Sequence, residues 1–149
     1  MHKELMVLVT AMVPISELRG AIPLGISLGL PPLESLFIAL LGNLLIVPAL
    51  LLIVRPLFTY FKSLRALRSW VNAYEERAAH KMKHYRKYRL IGLFLLVAVP
   101  IPTTGVYTGV VAANVLKIEF RNAWLAISLG VLVAGILVYM LSINLIHLF

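Results

Sequence analysis

With 149 residues, 61% of them hydrophobic and 13% charged, the chain departs from the roughly 45–50% apolar and about 25% charged composition of soluble domains. It reads as one membrane domain, too short for a bundle plus a separate soluble enzyme of usual size. The absence of cysteine excludes disulfide frameworks, thiolate zinc sites and cysteine nucleophiles. The net charge of +8 is concentrated, with ten of the fourteen Lys and Arg between Arg55 and Arg89. That is the pattern of a cytoplasmic loop, and no recognition motif accompanies it that would make nucleic acid the expected partner.

The first apolar stretch, residues 5–30, is not expected to be a signal peptide, because apolar character resumes past Gly20 without a small-residue cleavage site. Its middle reads PISELRGAIPLG, which places Glu17 and Arg19 where a charge costs about 2.5 to 3.5 kcal/mol even on lenient insertion scales. Pro14 breaks the stretch into two halves too short to span, so a re-entrant helical hairpin over 5–30 is expected. Ser16 is placed to cap the second arm, with Glu17 in its first turn. In a regular helix Glu17 and Arg19, two residues apart, point to nearly opposite faces, so each needs a partner elsewhere.

Residues 33–54 carry no Lys, Arg or Asp and a single Glu, Glu34, at their very start, and the fourth stretch, 123–149, carries none of the four. Each exceeds the ~20 residues that cross about 30 Å of hydrocarbon. Pro48 is a candidate kink in the former, and Ala126, Gly130 and Ala134 in the latter form a close-packing stripe, within the chain or between protomers. Asn43, Asn114 and Asn144 are expected to make interhelical hydrogen bonds. Between them, residues 55–89 show apolar residues at helical spacing among the Lys and Arg. This predicts a basic amphipathic segment lying on anionic headgroups or packing on the bundle. His80 and His84 share zinc-compatible spacing but lack further ligands, so no metal is expected there.

The third stretch, residues 90–116, is broken by PIPTTG, and a second hairpin is expected over it. VPISELRGAIPLG at Val13 and VPIPTTGVYTG at Val99 share Val-Pro-Ile followed by Gly20 or Gly105 and then Gly25 or Gly109. Each hairpin precedes one spanning helix, the second over 121–148, so the two halves should lie inverted, with a shared polar interior near the midplane. Both termini then fall outside and the 55–89 loop in the cytoplasm. The rival topology, with all four stretches crossing, places both termini inside.

Chemistry is expected where the two turns meet. Glu17 is the candidate proton carrier. Arg19 with Pro100, Pro102, Thr103, Thr104, Tyr107, Thr108 and free turn N–H groups makes a sensible anion or phosphate site. Gly20, Gly25, Gly105 and Gly109 serve turns and close packing. No nucleophile and base pair or metal cluster is evident, so an enzyme is not expected.

ELRGAIPLG at Glu17 and GLFLLVAVPIPTTGVYTG at Gly92 resemble the two signatures of the prokaryotic small multidrug export protein family, which is similar to the DedA and SNARE-associated (VTT) superfamily. The resemblance covers nearly the whole chain. It implies paired re-entrant segments, an inner-membrane location and transport. Related DedA proteins are linked to proton-dependent envelope maintenance and to flipping of lipid phosphate carriers such as undecaprenyl phosphate. Where the family pattern has Pro-Gly-Thr-Gly, this chain has Pro102-Thr103-Thr104-Gly105, and Tyr107 stands where Trp is frequent. The expectation is therefore an all-α integral membrane protein of two inverted repeats, without cofactors. It would move an amphipathic or anionic, lipid-phosphate-like substrate by proton coupling, as a homodimer among membrane lipids. The alternatives are a flippase or scramblase for a polyprenyl-phosphate carrier, or a non-transporting membrane scaffold acting through residues 55–89.

Overall fold

Proline and glycine placement sets where the helices stop. A computed structural model describes residues 1–82, 86–102 and 104–148. Among them the regular structure is helical throughout: α1 (His2–Met12), α2 (Glu17–Ser27), α3 (Pro32–Ser63), α4 (Arg65–Met82), α5 (Arg86–Ala98), α6 (Val106–Val115) and α7 (Phe120–Leu148). The 32 residues of α3 and 29 of α7 give lengths of about 48 and 44 Å, more than the ~30 Å hydrocarbon thickness. Both carry long apolar windows, as a membrane protein requires.

α3 runs past the 33–54 segment expected from the sequence, through Pro48 and Pro56, to Ser63. A proline deletes one ladder hydrogen bond, which a long helix packed against neighbours tolerates. The expected 55–89 connector is therefore shared among the end of α3, α4 and the start of α5. The described side chains of the first turns of α4, residues 65–70, are all exposed, Leu67 and Trp70 among them. This part of the apolar stripe is exposed rather than buried. The His80 and His84 pair cannot be placed, since His84 lies outside the described residues.

The four short helices form two pairs, α1 with α2 and α5 with α6, each folded back on itself. Val7 in α1 touches Gly25 in α2, and Lys3 at the start of α1 lies beside Gly29 just past the end of α2. In the second pair, Arg89 at the start of α5 donates to the Leu116 carbonyl beyond the end of α6 at 3.1 Å.

Both pairs end in the same backbone motif. Leu30 N–H bonds the Gly25 carbonyl and Gly29 N–H the Ile26 carbonyl, both at 3.0 Å, while Ile118 N–H bonds Ala113 at 3.0 Å and Lys117 N–H bonds Asn114 at 3.1 Å. These are Schellman ends, which need one left-handed residue. Gly29 takes that conformation at φ 85°, and in the second copy a lysine does, Lys117 at φ 53°.

The pairs open at opposite ends of α3. Gly25 of α2 presses on Ser35 near the start of α3, whereas Arg55, 23 residues into α3, donates to the Ile118 carbonyl at 3.1 Å. Their turns, residues 13–16 and 99–105, meet between.

The core is apolar and continuous, from Val7, Ala11 and Ile22 through Leu40 and Val47 to Val97, Val110, Ile127 and Val131. α3 and α7 pack on each other at its centre, α2 reaches α7, and α6 reaches α3. The small-residue stripe of α7 is used within the chain. Ala126 and Ala134 are buried, and Gly130 lies against Val97 and the Phe94 carbonyl of α5. Outside, α3 and α7 expose large apolar side chains such as Phe37, Leu45, Leu129 and Met140. Such a surface is stable in lipid and a liability in water.

Candidate functional site: two interlocked turns

The Val13–Pro14 sequence ends α1 because the residue before proline is driven out of the α region, and Val13 is extended at ψ 133°. Ser16 does not cap α2 as its sequence position suggested. It has αR dihedrals and its side chain makes no cap bond. Instead the chain turns left-handed at Glu17, φ 45°, a conformation uncommon outside glycine and one that collects at functional sites. This takes Glu17 out of the regular helical register, and both Glu17 and Arg19 reach the opposite turn.

What they meet there is the two cut ends of the second pair. The Glu17 carboxylate, 7% exposed, accepts the backbone N–H groups of Val106 and Tyr107 at the start of α6. Gly105 lies flat against it, so that a Cβ at this position would stand 2.6 Å from both Cδ and Oε1. Arg19 takes the other end. Its guanidinium donates to the Ile101 carbonyl, and to the Val99 carbonyl and Thr104 Oγ1, each at 3.3 Å. These groups follow the end of α5 at Ala98. A carboxylate at a helix N-terminus and a guanidinium at a helix C-terminus are each the favourable sign for the helix dipole.

The second turn reciprocates, with the Tyr107 hydroxyl donating to the Met12 carbonyl at the end of α1. Thr104 Oγ1 lies 3.0 Å from the Val99 carbonyl, closing its own turn. The sequence left Glu17 and Arg19 each seeking a distant partner. The fold supplies one helix end for each.

Of the residues proposed from sequence, Glu17, Arg19, Pro102, Thr104, Tyr107 and Thr108 line one cavity of about 50 Å³ with Pro14, Ile15 and Ser16. Pro100 is not in that lining, and Thr103 lies outside the described residues. Gly20, Gly25 and Gly109 are packing positions, with Ser16, Ser35 and Val97 respectively filling the space a side chain would take. The cavity is small beside the roughly 300–1,000 Å³ of pockets that enclose drug-sized ligands.

Asn43 departs from its sequence expectation of a hydrogen bond between helices. It is 1% exposed, and neither its amide nitrogen nor its oxygen meets a protein partner among the described residues. It lines a second cavity, of about 10 Å³, together with Glu17, Arg19, Gly105 and Val106. Asn43 falls near the middle of the apolar 33–54 run within α3, and Val131 and Ala134 of α7 line the same cavity, so the interlocked turns lie near the middle of both apolar runs. Of the other two asparagines, one departs from that expectation. Asn144 bonds within its own helix, to the Met140 carbonyl at 2.8 Å. Asn114 lines an open cleft of about 360 Å³ with Arg55, Lys62 and Lys117 at the basic end.

A part of the basic cluster also has a local task. Arg55 and Arg89 satisfy carbonyls at and beyond the end of α6, and Arg55 stacks on the Phe120 ring, 5.9 Å from its centroid. Their place in the charge cluster gave no sign of this.

No curated protein and no solved structure matches the chain significantly. A protein-family model does, over residues 17–137, and it is described as "Putative small multi-drug export protein". That span begins at Glu17, directly after the first turn, and takes in the second turn, all of α3 and more than half of α7, so the chain belongs to the small multi-drug export protein family.

Proposed function

We propose that the chain is a proton-coupled membrane transporter of the DedA-like kind, built from two inverted repeats. The 5–30 and 90–116 stretches re-enter the membrane, and α3 and α7 cross it. The observation that carries this reading is the engagement of both helix ends of one turn by Glu17 and Arg19 of the other, near the middle of the long helices. Protonation of Glu17 converts charge-assisted bonds to the α6 N-terminus into neutral ones of roughly half the strength. The two turns are then free to part, and substrate passes between them. A cavity of about 50 Å³ fits the closed state of such a gate.

Once Glu17 withdraws, the N–H groups of α6 and the guanidinium of Arg19 face the path, which favours an anionic or amphipathic substrate such as a lipid phosphate. With the 55–89 loop in the cytoplasm of a prokaryotic cell, both termini lie across the inner membrane from it. The small size of the chain favours a homodimer.

Two measurements test the reading. The chain has no cysteine, so single cysteines placed in the 55–89 loop and beside Phe149 report their sides to a membrane-impermeant maleimide. Labelling of both from one side refutes the inverted arrangement. In vesicles holding a pH dye, addition of a lipid-phosphate probe should move protons with wild type and not with Glu17→Gln. Glu17→Gln acting as wild type, while a polar α4 stripe abolishes function in cells, would support the scaffold reading in its place.

A further inference from the structure

Asn43 and Glu17 line one small cavity of about 10 Å³, roughly the room that one water centre occupies. Leu18, Val97, Val131 and Ala134 supply apolar wall. Asn43 has both amide atoms without a protein partner and is 1% exposed, and an unsatisfied buried amide is costly. Buried waters sit where a space of this size is bounded by such groups. Glu17 and Arg19 line both this cavity and the larger one on the turn side, where Ser16, Thr104, Tyr107 and Thr108 bring hydroxyls. The titratable groups of the two linings are Glu17, Arg19 and Tyr107, with none from α3, α5 or α7.

We propose that Asn43 binds one water against the Glu17 carboxylate and through it acts as the positioning residue of the proton site. The inference rests on the proton-coupled reading. The α6 N–H groups and Arg19 approach Glu17 from its own turn and the opposite one. The Asn43 water holds it from the α3 and α7 side, so that the carboxylate is fixed when the turns are closed and hydrated when they part.

The test uses Asn43→Val, which keeps the bulk and removes the amide, and Asn43→Ser, which keeps a hydroxyl and room for water. Each is made in wild type and in Glu17→Gln, in the full chain. In denaturant titrations of the detergent-solubilised protein, Asn43→Val should lower stability in wild type and have little effect in Glu17→Gln. The expected coupling is at least fivefold in the unfolding constant, within the range of contacting residues, about 0.5–3 kcal/mol. The infrared carboxylate band of Glu17, isolated as the difference between wild type and Glu17→Gln, should shift in Asn43→Val and hold its place in Asn43→Ser. Additive stabilities with an unmoved band overturn the proposal.

In vesicles, Asn43→Val should slow substrate-linked proton movement about tenfold and Asn43→Ser should retain it. Equal rates in Asn43→Val and wild type overturn the positioning role alone. A wild type that moves no protons overturns the coupled-transport reading and with it the proton role, and the stability cycle still decides whether the bridged contact exists.

Discussion

Replacing Gly105 with alanine tests the interlock at its tightest point. The backbone at Gly105 is extended, φ 164° and ψ −159°, a conformation that alanine adopts freely, so the cost is steric alone. The added Cβ would lie 2.6 Å from Cδ and Oε1 of Glu17 and closer still to Oε2. Real Cβ contacts need about a further ångström, so the carboxylate must leave the α6 N-terminus. It then gives up two charge-assisted bonds, to Val106 and Tyr107 N–H, of about 1.5–3 kcal/mol each by mutational measure. Partial rehydration of the displaced groups returns some of this, and the expected loss is about 3 kcal/mol, or more than a hundredfold in the unfolding constant. The assay is reversible denaturant titration in detergent followed by the fluorescence of Trp70 and Trp124. Glu17→Ala empties the space, so in that background Gly105→Ala should cost under about 1 kcal/mol, a non-additivity diagnostic of contact. Gly105→Ala without effect in wild type, or equally damaging in Glu17→Ala, refutes the interlock.

The other expectations use the same titration. Lys117→Gly should stabilise by about 0.5–1 kcal/mol, because lysine at φ 53° bears a left-handed penalty of about 1–2 kcal/mol that glycine escapes, less the entropy glycine forfeits. Gly130→Ala should cost about 2–3 kcal/mol, since its Cβ meets the Phe94 carbonyl at 3.0 Å and Val97 Cβ at 2.8 Å, neither of which yields easily. Gly135→Ala should cost less than about 1 kcal/mol, because its nearest neighbour is the mobile end of Leu40; the reverse order would contradict the helix packing. Arg19→Lys should lose about 1–2 kcal/mol, a point charge being unable to serve Val99, Ile101 and Thr104 at once. Tyr107→Phe should lose about 0.5–1.5 kcal/mol with the bond to Met12.

Much of this protein is determined by local chemistry. Two charge-free runs long enough to cross the hydrocarbon form the middle of α3 and most of α7, and prolines at 14 and 100 cut the remaining apolar stretches into paired short helices. The ionisable residues in the membrane part, Glu17 and Arg19, were visible as a site because a charge in an apolar run needs a reason. Helix ends read less well. Ser16 has the composition of an N-cap, and α3 continues through Pro56, because packing on neighbours outweighs a local preference worth only about 1–3 kcal/mol. The partners of Glu17 and Arg19 could not be read at all. They are backbone groups, Val106 and Tyr107 N–H and the Val99 and Ile101 carbonyls, and every residue type carries such groups alike. Whether Asn43 pairs between helices or faces Glu17 across a water-sized space also depends on the depth at which the two turns meet. That depth follows from how α2 and α6 dock on α3 and α7, a sum of many weak apolar contacts that no single stretch of sequence encodes.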